Sequence, residues 1–149
     1  MSESDRAINR AIKNFAKTLS PKGFHIVGLG GGLDHESGKH KQIDIVLGTS
    51  KEICDVRTAR VLLVETITEF LNYINTREDI KAYLATTPFT IENIHVGILC
   101  EHSTPPNIGH MFNYGQYLCY YVYGDNPSRI PSIEIHEETF EEAKNILSQ

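Results

Sequence analysis

The sequence predicts an α+β fold: an antiparallel sheet of four to five strands packed against helices, in the order α-β-β-α-α-β-β-β-α. Three observations carry this. Apolar residues recur at helical spacing over residues 3–19 and 55–74. Short runs rich in Ile, Val and Tyr are bounded by glycine, proline and polar turns. These runs come in hairpin-like pairs rather than alternating with single helices, which favours antiparallel pairing.

The first helix spans residues 3–19. Ser4 is its expected N-cap, and Ile8, Ala11, Ile12, Phe15, Ala16 and Leu19 form one apolar stripe. Ser20-Pro21-Lys22-Gly23 stops it. Residues 24–29 and 42–48 read as strands. The glycine-rich, polar stretch between them, 30–41, reads as a hairpin loop or a bulged strand end. It is not a phosphate loop, because no helix follows the glycines and no Gly-Lys-Ser/Thr completes one.

Asp55 is placed to cap a long helix reaching about Ile74. Ala59, Leu62, Leu63, Thr66, Ile67, Phe70, Leu71 and Ile74 make its main buried face, and Val56, Val61 and Val64 widen it. Thr76 and Asp79 have the spacing of a capping box for a short helix ending near Leu84. Pro88 breaks the chain, and residues 93–101 form a strand. The stretch 102–115, with Pro105-Pro106, Gly109 and Gly115, reads as a long loop. Residues 116–123 are strongly β-prone, and 133–136 form a short strand. Thr139 and Glu142 make a second capping box, opening a last helix through Leu147.

A chain of 149 residues with 40% hydrophobic and 22% charged residues is expected to form a single α+β domain, 1–149, with no staple. Its formal net charge of -5 and its lack of a Lys/Arg stripe argue against nucleic acid as a partner. The densest basic stretch is Lys39-His40-Lys41, while 134–142 carries five glutamates and no basic residue. Three cysteines, Cys54, Cys100 and Cys119, with no C-x-x-C pair, point to reduced thiols in a cytoplasmic setting. No window has the apolar length of a membrane span, and no cofactor motif is present, so neither a membrane nor a cofactor is expected.

Two constellations carry functional candidates. Alternation along 116–123 places Tyr117, Cys119, Tyr121 and Tyr123 on one face, and Leu118, Tyr120 and Val122 on the other. Tyrosine suits sheet packing and interface cores alike, so Tyr117, Tyr121 and Tyr123 are the candidate binding residues. The second constellation is His35, Glu36 and His40 in one polar loop, beside Asp34, with His102 and His110 in another, beside Glu101. Imidazole and carboxylate are zinc or manganese ligands, so a metal-assisted hydrolase is the alternative reading if the loops meet. Cys54 precedes a helix but has no adjacent base, and reads as a structural thiol.

The element order, size and acidity resemble, in architecture, those of small dimeric secretion chaperones. That resemblance implies a non-catalytic, protein-binding or adaptor-like module. A homodimer is the expected assembly, because the tyrosine-rich strand is apolar on both faces. The competing account has the last helix covering the second sheet face in a monomer.

Overall fold

A computed structural model of the chain describes residues 2–149. Helix α1 spans Glu3–Leu19 and is capped by Ser2 rather than Ser4. Ser2 has extended backbone, which lets its hydroxyl accept the Asp5 amide at 3.1 Å. A 3-10 turn at Ser20–Lys22 ends on Gly23, whose φ of 89° is left-handed and cheap only for glycine. Strands β1 (Phe24–Leu33) and β2 (His40–Thr49) then form a hairpin. The triple glycine lies inside β1, so the bulged-strand reading holds, with register shifts at Ile26/Gly28 and Gly32/Leu33. A Cβ on Gly31 would sit 2.4 Å from the Gln42 carbonyl oxygen, so this close approach of the two strands requires glycine.

Helix α2 (Val56–Thr76) is capped by Asp55, which accepts the Thr58 amide at 2.8 Å. The expected box at Thr76 and Asp79 does not form. The Thr76 hydroxyl instead donates back to the Asn72 carbonyl, and Asp79 pairs with Arg77. Helix α3 is therefore a single turn, Glu78–Lys81, with no side-chain cap. The Asn75 side chain pins the returning chain, donating to the Phe89 carbonyl at 2.9 Å and accepting its amide at 2.8 Å. Strand β3 (Ile94–Cys100) follows.

The sheet departs from the expected one in two respects. It has six strands, in the order β1-β2-β3-β4-β5-β6, and it is mixed, because β2 and β3 run parallel. The α2 crossover causes this: it carries the chain back along the sheet before β3 begins. The extra strand is β4 (His110–Tyr114), inside the stretch read as a loop. It is short and flanked by glycines, so its β-prone Met111, Phe112 and Tyr114 were outweighed by turn signals. Its partners are β3 and β5 (Tyr117–Val122). Where the β3–β4 ladder stops, the buried Asn113 side chain continues it, accepting the Val96 amide at 2.7 Å and donating to the Ile94 carbonyl at 2.9 Å. Strand β6 (Ile133–Thr139) closes the sheet, and helix α4 (Phe140–Leu147) starts with the expected Thr139/Glu142 capping box.

Helices α1, α2 and α4 lie on one face of the sheet. Phe15, Phe70, Phe140 and Ala143 join Ile43, Ile45, Leu47, Val96, Ile98, Leu118 and Tyr120 in one hydrophobic cluster. Helix α4 therefore packs beside α2 and leaves the second sheet face uncovered, contrary to the expectation that it could cover that face. Val64 is buried, but Val61 is partly exposed, so the widened face of α2 is only partly used. Among the described residues no helix is long and apolar enough to cross a membrane.

Candidate functional site

With all helices on one side, strand alternation decides which side chains meet the open face. On β4 and β5 these are His110, Phe112 and Tyr114, paired with Tyr121, Cys119 and Tyr117. The two faces solve their electrostatics differently.

On the helix-covered face, Glu138 of β6 is buried. It accepts from Arg60 of α2 at 2.9–3.0 Å and from the Tyr120 hydroxyl at 2.7 Å, with His136 at 3.3 Å. Burial alone would raise its carboxyl pKa. The hydrogen bonds from Arg60, Tyr120 and His136 outweigh that and hold it below the ordinary value. The same bonds raise Arg60, and burial pushes the Tyr120 phenol far up. This network is satisfied inside the fold, so it ties β6 and α2 together rather than offering groups to a ligand.

The open face carries a band of near-parallel rings. His110 stacks on Tyr121 at 4.5 Å between centroids with planes 7° apart. Phe112 stacks on Tyr121 at 5.5 Å, and His110 on Tyr123 at 5.6 Å. His95 of β3 extends the band from Phe112, at 5.7 Å, and the Arg129 guanidinium covers the far side of Tyr123 at 4.8 Å. Gly109 makes room for it, since a Cβ there would lie 2.6 Å from the Tyr123 ring. Burial lowers the His110 pKa, so the imidazole is neutral near pH 7. Burial also raises the phenols of Tyr121 and Tyr123. The centre of this face is therefore aromatic and uncharged. Carboxylates sit on the flanks: Glu101, 3.3 Å from His25, on one side, and Glu134 and Glu137 of β6 on the other.

The candidate binding tyrosines all lie on this face. Tyr117 is 41% exposed and sits opposite Tyr114, while Tyr121 and Tyr123 are half-buried within the ring band. The candidate metal residues are dispersed. His35 and Glu36 are exposed at the tip of the β1–β2 hairpin. The register pairs Ile43 with Ile94 at that end of the sheet and Thr49 with Cys100 at the other, where the 101–109 loop emerges. About seven residues of strand, roughly 20 Å, separate the two loops, so the five residues are not brought together. His102 is exposed in a turn, and His110 belongs to the ring band. His40 is on β2 beneath α1, 8% exposed and 3.3 Å from an Asp5 carboxylate oxygen, in a cleft of about 370 Å³ also lined by Ile8, Leu29 and Gly31. Cys54 is exposed, and its neighbour Asp55 takes the capping role.

Sequence reasoning missed Phe112 and His95 as members of the band, and Glu134 and Glu137 as its flank. The signal for Phe112 was the run His-Met-Phe-Asn-Tyr followed two residues later by a second β-prone run, which is hairpin spacing. Comparison with protein-family models, with curated proteins and with solved structures found no match for this chain.

Proposed function

We propose that this protein is a non-catalytic protein-binding module, that its helix-free sheet face is the binding surface, and that a second copy of the chain is the occupant of that face. The observation that carries the reading is the ring band of His110, Phe112, Tyr121 and Tyr123, stacked across β4 and β5 on a face no helix covers. Tyrosine and phenylalanine at the centre with charge at the margins is the anatomy of an interface core and rim. Tyr117, opposite Tyr114 at one end of β5, extends the apolar area along the same face. Two sheets pack face to face at about 10 Å, and a two-fold axis lets one self-complementary patch serve both copies.

The acidic balance and the carboxylates of Glu134, Glu137 and Asp44, which pairs in register with His95 on the same face, make this a poor surface for phosphate backbones, so the reading excludes nucleic acid. Three free cysteines fit a reducing, cytoplasmic setting.

Sedimentation equilibrium across micromolar concentrations tests the proposal. The expected species has twice the 16.8 kDa chain mass. Phe112→Glu, which puts a charge at the centre of the band, should weaken association about tenfold or more while keeping the parent's thermal midpoint within a few degrees. A single-chain mass at every concentration would sink the reading.

A further inference from the structure

A second site lies on the same face, at the β5–β6 edge, and does not depend on self-association. We propose that Cys119, Glu134 and Glu137 bind one zinc ion. Their candidate ligand atoms, the Cys119 Sγ and one oxygen of each carboxylate, all lie within 4.8 Å of one another.

Strand geometry makes this grouping unusual. Residues three apart on a regular strand point to opposite faces, so Glu134 and Glu137 should be separated by the sheet. A register shift at Tyr120/Tyr121 prevents that: Glu137 faces Cys119, and after the shift Glu134 faces Tyr121. The bulge thus turns both carboxylates onto the face that carries the thiol, and bulges are known for re-aiming side chains in this way.

The thiol is the second observation. Cys119 is 7% exposed and its sulfur makes no hydrogen bond among the described residues, yet it sits within reach of both carboxylates. An apolar role alone would not need the two acids beside it. The Tyr121 hydroxyl donates to Glu134 at 3.0 Å and orients one carboxylate from outside, as groups around metal ligands do. Sulfur and carboxylate together select zinc over the all-oxygen preferences of calcium and magnesium. Zinc bonds of about 2.0–2.3 Å require the three atoms to draw together by roughly 1 Å, which the exposed glutamates can supply by rotating. On binding, the S–H bond breaks, an S–Zn bond forms and the proton leaves to water, with no electron transferred. Three protein ligands leave the fourth tetrahedral position to water.

The test uses zinc chloride by calorimetry, and cobalt(II) by absorption, on the full chain. Expected are one zinc per chain and a sulfur-to-cobalt charge-transfer band. Cys119→Ser should abolish the band and weaken zinc about tenfold or more. Glu137→Gln, at an exposed position that leaves folding intact, should weaken zinc by a similar factor. Cys54→Ser and His25→Ala should change neither readout. The proposal is overturned by absence of stoichiometric zinc, by a band that survives Cys119→Ser, or by a band lost in Cys54→Ser. Unchanged zinc affinity in Glu137→Gln would overturn it too, even where Cys119→Ser fails to fold.

Discussion

Glu137 and Glu138 are neighbours on β6, chemically identical, and electrostatic opposites. Glu138 points under α2, where Arg60, Tyr120 and His136 surround its carboxylate and hold its pKa down. Glu137 points to the open face, where sharing a hydrogen bond with Glu134 raises its pKa. One residue of strand alternation separates a neutralised buried anion from an uncompensated surface pair. The comparison extends to the whole sheet. The covered face has its polar groups satisfied internally and supplies stability. The open face carries rings stacked on one another and two carboxylates at its margin, one of them hydrogen-bonded by Tyr121, and no helix covers it.

The largest expected contrast is in packing. Phe70→Ala, in the middle of the covered face, should cost about 3–5 kcal/mol by urea unfolding. Phe112→Ala, half-buried on the open face of the single chain, should cost far less, about 1 kcal/mol, at a dilution where the chain is monomeric. Equal losses at that dilution would show that the two faces of one chain do not differ in packing.

The next contrast is electrostatic. Glu138→Gln removes the charge that compensates buried Arg60, and should cost about 3 kcal/mol. Glu137→Gln relieves a like-charge contact and should be neutral or slightly stabilising. If the two substitutions cost the same, the distinction drawn between the two faces fails.

A pH series sharpens that distinction. The depressed pKa of Glu138 means its stabilisation is present above the unfolded glutamate value of about 4.3 and is lost as pH falls through the folded value. Unfolding free energy should therefore drop as the solution is acidified below about pH 4.3. In Glu138→Gln this part of the acid slope should vanish. Glu137 acts with the opposite sign. Its raised pKa makes the folded state the better proton acceptor, so its contribution weakens as pH rises through the window above 4.3. A slope unchanged in Glu138→Gln would show that the network does not set the acid limb.

The smallest expected effect concerns thiols. Burial pushes Cys100 and Cys119 up to about 11, while Cys54 is exposed. At neutral pH an alkylating reagent should label Cys54 first and the other two only slowly. Reductant should leave the thermal midpoint unchanged, since the cysteines are free. A large drop in midpoint on reduction would contradict both.

Most local signals were legible, although the cap of α1 falls on Ser2 rather than Ser4 and the Thr76/Asp79 box does not form. The stripe of α1, the Asp55 cap, the Thr139/Glu142 box and the alternation of Tyr117, Tyr121 and Tyr123 were all readable, because hydrogen bonds over three residues and periods of 3.6 and 2 are written into the order of the chain. Three features were not. The parallel β2–β3 pairing depends on how α2 returns across the sheet. Strand β4 exists because β3 and β5 stand ready on either side of five residues that would not form a strand alone. The grouping of Glu134 with Glu137 depends on one bulged residue, and a shift of one residue reverses the face of everything beyond it. The sequence by itself determined the apolar stripe of α1, the caps of α2 and α4 and the face on which the tyrosines of β5 lie. Only the tertiary structure decided which face of the sheet stayed open and which acids met there, because register and strand order are settled by contacts between segments far apart in the chain.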